Sequence, residues 1–212
     1  MNKREFIKSA AVIVGTTAVE PLSSKMISPL AASAPQDRTI RGLKKVSLKK
    51  SLGFGMIKEN LSLTDKFKLV RDLGFQGVEL NSPVDFPIAE ILEAKEKSGI
   101  ELPSVVNKDH WSSPLSDPDP EVRKKCIQSV ATSLHDVKAL GGDTVLVVPG
   151  VVNEKVSYEQ AYITSQQAIR ELIPYAEETG MQIALENVWN KFLLSPLELR
   201  DFIDKIGSMY VG

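Results

Sequence analysis

The stretch EETGMQIALENVWNKF (Glu177–Phe192) contains the repeating unit of the whole chain. A helix-like run stops at Gly180, the apolar run Gln182-Ile183-Ala184-Leu185 follows, and that run ends on a carboxylate, Glu186. Glycine suits the position just past a helix, because the left-handed conformation adopted there is strained for a residue with a Cβ. Ile-Ala-Leu has no polar alternation and so predicts a strand of a parallel sheet covered by helices. An ionised glutamate buried inside such a strand would be costly unless paired or bound to a metal. At the strand's end, facing a cleft, the same group can act as a ligand or a base.

The unit recurs along the chain. Helix-like stretches end at Gly74, Gly99, Gly141, Gly180 and Gly207, and the apolar runs GVEL, ELPSVV, TVLVV, QIAL and SMYVG follow them. Helix starts carry their own signals. Ser195-Pro196-Leu197-Glu198 and Ser157…Gln160 read as capping boxes, and Asp119-Pro120 opens another helix in a similar way. Phe67, Val70 and Leu73 are spaced for one helix face, as are Val122, Cys126, Val130, Leu134 and Val137. With SLGFGMI (Ser51–Ile57) as first strand, the order is five βα units and the opening of a sixth strand. Such alternation predicts an α/β fold, either a barrel or an open sheet. LGFGMIKEN lacks the G-x-G-x-x-G spacing of the nucleotide-binding open sheet, which favours the barrel. Val145 with Val147, and Ile183 with Leu185, are the expected inward faces.

Composition excludes several classes. A chain of 212 residues, 42% hydrophobic and 25% charged, fits one soluble domain or slightly more. A net charge of −1 leaves no electrostatic footprint for nucleic acid or an anionic membrane. The single Cys126 excludes an internal disulfide and a thiolate metal cluster, and its spacing places it in a helix core. Residues 1–35 read as a signal peptide: NKREFIK is basic, AAVIVGTTAV is apolar and LAASA offers small residues for cleavage. KREFIK resembles a twin-arginine export signal with Lys3 in place of the first arginine, so export to the periplasm of a Gram-negative bacterium is expected. The apolar run is well short of the ~20 residues of a membrane-spanning helix, so no stable membrane anchor is expected. Residues 36–50 read as a basic linker, and 51–212 as the barrel portion.

On a barrel, chemistry sits at the C-terminal ends of the strands. Those ends give Glu79 after strand 2, Asn107 and His110-Trp111 after strand 3, Asn153 after strand 4, and Glu186-Asn187 after strand 5. The carboxylates and His110 are expected to converge on one rim. Plainer roles stand beside these: a rim salt bridge for Glu79, a surface loop for His110, a loop anchor for Trp111. His135, in the middle of a long helix, reads as structural or solvated.

QGVEL, DHWSSPLSDPDPEVR and IALENVWNKF, in this layout, resemble the xylose isomerase-like sugar isomerase/epimerase superfamily over Ser51–Gly212. The resemblance implies a (β/α)₈ barrel holding one divalent metal (Mg, Mn, Co or Zn) through Glu, Asp, His and Glu at successive strand ends. Two carboxylates would then move protons on the carbon beside a sugar carbonyl. For this sequence it implies Glu186 as a metal ligand doubling as acid–base, with Glu79 as a further catalytic carboxylate. His110, Trp111, Asn107, Asn153 and Asn187 would line the site, Asn187 as a supporting group. The remaining Asp, His and Glu would lie on strands six to eight, so the expectation is a C-terminally truncated member whose barrel is incomplete. The implied partner is a small-molecule sugar or derivative, and a homo-oligomer is open to the protein. Two other readings are a non-catalytic sugar-binding barrel that has lost the metal and a metal-dependent endonuclease of the same fold. Two histidines and a charge of −1 argue against the endonuclease.

Overall fold

Each predicted helix stop is a helix end. At Gly141, for example, φ is 77° and the amide donates back to Val137 and Lys138, closing the last turn. The computed structural model describes residues 48–212; the expected signal peptide and most of the expected linker lie outside the described residues. The strands are β1 (Ser51–Gly53), β2 (Gly77–Ser82), β3 (Ser104–Asn107), β4 (Thr144–Val147) and β5 (Gln182–Leu185). The helices are α1 (Leu63–Asp72), α2 (Ile88–Ser98), α3 (Pro120–Leu140), α4 (Tyr158–Thr179) and α5 (Pro196–Ile206), and a 3₁₀ turn, Phe54–Met56, follows β1. Both predicted capping boxes form, with Ser157 and Gln160 bonding reciprocally before α4 and Ser195 and Glu198 before α5. Asp119 accepts from the Glu121 amide at the start of α3.

The sheet is parallel in the order β1-β2-β3-β4-β5, and Val211 bridges Ile183 on the far edge, where a sixth strand opens. Parallel strands joined by helices in strict chain order make five βα units of a barrel, and the barrel is incomplete. Lys50, at the end of the expected linker, already belongs to this unit, bonding Gln76 through both backbone groups.

Which face of each strand meets the helices is settled by hydrogen bonds. Ser82 donates to Asp136 on α3, 2.7 Å, and Asn107 donates to Ser129 and Ser133 on the same helix. The residues of the same parity, Val78, Leu80 and Val105, and their neighbours across the register, Val145, Val147 and Ile183, are at most 3% exposed. The expected inward pairs, Val145 with Val147 and Ile183 with Leu185, therefore face the helices. The sheet's other face carries Glu79 and Asn81, Ser104 and Val106, Thr144 and Leu146, Gln182 and Ala184. Each strand of a parallel barrel needs its most apolar parity against the helices, and the apolar runs are too short to show which parity that is. Leu73 departs from expectation as well: it caps α1 and is 64% exposed, while Phe67 and Val70 are fully buried.

Candidate active site

The inner face is built in rows. Glu79, Ser104, Thr144 and Gln182 form the lowest row, and Asn81, Val106, Leu146 and Ala184 the next. Glu186 stands one row higher, on the same face as Ala184, at the C-terminal rim. Its amide continues the ladder by donating to the Val147 carbonyl, 3.1 Å. Its side chain is exposed, and among the described residues it takes part in none of the ion pairs or hydrogen bonds. The strand thus ends with an exposed carboxylate on the face opposite the helices, with no partner among the described residues.

Glu79 does not join it. β2 runs on to Ser82, so Glu79 is the third of six strand residues and accepts from Ser104 Oγ at 2.7 Å on the lowest row. Four residues separate that row from Glu186 along the strands, about 13 Å at ~3.3 Å per residue. Direct or one-water proton transfer does not span that separation. Asn81, exposed and one row above Glu79, is the β2 residue nearer the rim.

Strand 3 and its loop place their polar residues away from the inner face or against neighbouring loops. Asn107 is fully buried on the helix side, its amide spent on Ser129 and Ser133 and its oxygen on the Asp109 amide. Asp109 in turn accepts from Ser129 Oγ, 2.6 Å. His110 is 3% exposed and its Nδ1 accepts from the Val148 amide at 3.3 Å, a contact that ties the β3–α3 loop to the end of β4. Burial holds its pKa down to about 4, with the Asp109 charge opposing, so at neutral pH the ring is uncharged and positions the loop. Its edge meets Trp111, centroids 5.6 Å apart, and braces an indole that is itself 51% exposed. Asn153 folds back on its own loop, accepting from the Lys155 and Val156 amides. Asn187 donates to the Leu193 carbonyl, 3.2 Å.

What the rim does assemble is a cleft of about 640 Å³ lined by Trp111, Asn187, Val188 and Trp189. Trp189, which sequence reasoning passed over, stands fully in solvent. The residue that fixes its loop was also missed. Asn190 is 2% exposed, donates to the Gly150 carbonyl at 2.7 Å and accepts Val152 N–H on its own backbone carbonyl at 3.0 Å. Gly150 is a required glycine, since a Cβ there would lie 2.6 Å from Ser165 Oγ and 3.1 Å from Ser116 Cβ. Ser116 completes the seam by exchanging hydrogen bonds with both backbone groups of Val151. Past Asn190, Lys191 and Leu193 sit at positive φ, 58° and 51°. Phe192 between them is fully buried against Tyr158, Tyr162 and Phe202, which holds the strained turn in place. The nearest sequence signal for all of this was Asn190 two residues before Phe192, a polar residue beside a large apolar one just past a strand.

Elsewhere, burial pushes the Cys126 thiol up to about 12, so it is an inert core group, and His135 is exposed. No described helix is long and apolar enough to cross a membrane. Among the described residues no three His, Cys, Asp or Glu side chains group to hold a metal. A divalent cation takes several ligands, and Glu186 supplies one carboxylate; the described residues alone do not fit a metal site.

The chain belongs to the xylose isomerase-like TIM barrel family, whose model matches residues 67–212. Among solved structures it is similar to 3-keto-D-glucoside 4-epimerase from E. coli, with TM-score 0.66 and 17% identity over 77% of this chain and 66% of that one. It is also similar to D-psicose 3-epimerase with D-tagatose from Clostridium cellulolyticum H10, with TM-score 0.66 and 21% identity over 77% of this chain and 62% of that one. A third is a xylose isomerase-like TIM barrel protein from Mycobacterium smegmatis in complex with magnesium, with TM-score 0.54 and 18% identity over 70% and 54%. The chain thus spans less than two thirds of the length of these relatives. No curated protein sequence matches it.

Proposed function

We propose that this protein is a carbohydrate isomerase or epimerase that moves a proton on a carbon beside a sugar carbonyl, with Glu186 as the acid–base group. The observation that carries this reading is the free carboxylate of Glu186 at the rim of the inner face, beside an aromatic-walled cleft. Family membership and relatives whose names describe sugar epimerases support it. The carboxylate takes the α proton, and the C–H electron pair moves into an enediolate. Return of the proton to the neighbouring carbon, with the hydroxyl proton passing to the former carbonyl oxygen, gives the isomer, and one carboxylate on one face suffices for the carbon-bound proton. Epimerisation delivers a proton to the opposite face and needs a second acid, a role for which Glu79 stands two rows below Glu186. Trp111 would offer its face to the sugar's C–H surface.

A divalent cation in the full-length protein is part of the proposal; it would stabilise the enediolate charge, and Glu186 is the residue here that would bind it. Export to the periplasm is likewise proposed from the N-terminal pattern; intact Met1 on protein from the native host's cytoplasm would oppose it. The competing reading is a non-catalytic sugar-binding barrel, favoured by the lack, among the described residues, of any group of three His, Cys, Asp or Glu side chains that could hold a metal.

The test is turnover of a panel of ketoses and aldoses by full-length protein and by Glu186→Gln, with metal content measured on both. Loss of a ligand or base should lower turnover at least ~100-fold, as even a supporting partner of a ligand contributes ~10–100-fold. Unchanged turnover and metal content in the variant would make Glu186 structural.

A further inference from the structure

His110 is buried among the loops, with one ring nitrogen committed and the other left over. Its Nδ1 accepts the Val148 N–H, so that nitrogen presents a lone pair. A neutral imidazole has one ring proton, which then sits on Nε2 and makes it a donor. Burial keeps the ring in that neutral form. The adjacent carboxylate, Asp109, accepts from Ser129 Oγ instead. Among the described residues Ser165 Oγ is the one fully sealed side-chain nitrogen or oxygen without a partner. Nε2 of His110 has no partner among them either, so it is not sealed, and the residue's small opening to solvent includes it. The donor is also fixed, because turning the ring would break the tie to Val148.

Glu186 stands on the other side of the same peptide. The Val147 carbonyl accepts the Glu186 amide at 3.1 Å, and the Val148 N–H of that peptide donates to the imidazole at 3.3 Å. With standard C=O and C–N lengths, Nδ1 lies no more than about 9 Å from the Glu186 nitrogen. A carboxylate side chain and an N–H donor flanking the end of β4 at that spacing can meet one small ligand between them. A preorganised neutral donor stabilises charge that develops on an oxygen and needs no proton transfer of its own.

We propose that His110 is a catalytic donor, its Nε2–H holding the sugar oxygen that gains charge as Glu186 takes the carbon-bound proton, which rests on the reading of Glu186 above. The Nε2 proton stays on nitrogen throughout. Two variants of the full-length protein separate the two ring nitrogens. Asparagine sets an amide oxygen near the Nδ1 position and nothing at Nε2; glutamine reaches the Nε2 position with an amide and leaves the Val148 N–H unpaired. With deuterium exchange into a ketose as readout, His110→Asn should lose ~10²–10³-fold in kcat, the scale of one oxyanion donor, with KM nearly unchanged. His110→Gln should recover at least about tenfold of that loss although its melting midpoint is the lower of the two. A purely structural role would rank activity by midpoint, and that ranking would overturn the inference. The ring itself is read by ¹⁵N-histidine NMR, its signals assigned by their disappearance in His110→Asn. The proton should sit on Nε2, and D-fructose or another ketose of the panel should move that resonance. A proton on Nδ1, or an Nε2 signal that no ketose of the panel moves, would overturn the inference. A shift without exchange into any sugar supports the donor and sinks the isomerase reading. Exchange that His110→Asn leaves untouched does the reverse.

Discussion

Glu186 and Glu79 are the same residue type on the same face of one sheet, and two rows of side chains give them different surroundings. Glu186 has no partner among the described residues, so Glu186→Gln should leave stability within ~0.5 kcal/mol, as expected for an exposed site, while abolishing turnover. Glu79→Gln keeps an acceptor for Ser104 and should keep turnover within a few-fold; steady-state kinetics on the two variants separates them. His110 gives a pH signature. Its folded pKa, about 4, lies below the ordinary 6.5, so between those values the unfolded chain binds the proton and the folded one does not. The contribution is present above pH 6.5 and is lost as pH falls through 4, amounting to up to about 3 kcal/mol. Denaturant midpoints from pH 4 to 7.5 should fall toward acid in the wild type, and less steeply in His110→Gln. Glu186 was legible because an apolar strand ending in a charge is a local pattern. Asn107 and His110 were read as rim groups because sequence shows that a polar residue follows a strand, not which way its parity points it.

Among elements, what obeyed local rules was legible: caps, glycine stops and the order of strands and helices. Ser195→Ala removes the α5 capping box and should cost ~1 kcal/mol, read as a lower melting midpoint. The seam between rim loops was not legible, because its partners are far apart in sequence, Asn190 from Gly150 by 40 positions and Ser116 from Val151 by 35. Asn190→Ala leaves the buried Gly150 carbonyl without its donor, a loss of ~1–3 kcal/mol. Because the seam also holds the loop after Glu186, the same variant should lower kcat, and Asn190→Asp, which keeps the shape and an acceptor for Phe192 but removes the donor, should not rescue it. Calorimetry with kinetics on both variants checks this.

For the whole molecule, the inner face of the sheet changes character from row to row. Its lowest row is polar, its middle row holds Val106, Leu146 and Ala184, all partly exposed, and its rim carries Glu186. Residues 46–212 produced alone should self-associate through that face and the open strand edges, as unpaired edges and apolar surface favour. Light scattering after sizing would show it, and a monomer with one cooperative melt would contradict it. The barrel class was readable from repetition; the direction of each strand's faces required the helices that pack on one side. Chemistry at the rim is read by hydrogen exchange. Full-length protein is incubated with a ketose in D₂O and the sugar carbons are followed by NMR. Deuterium should enter at a carbon next to the carbonyl with the wild type and not with Glu186→Gln; exchange that persists in the variant, or that never occurs with any ketose tried, would contradict an acid–base role for Glu186.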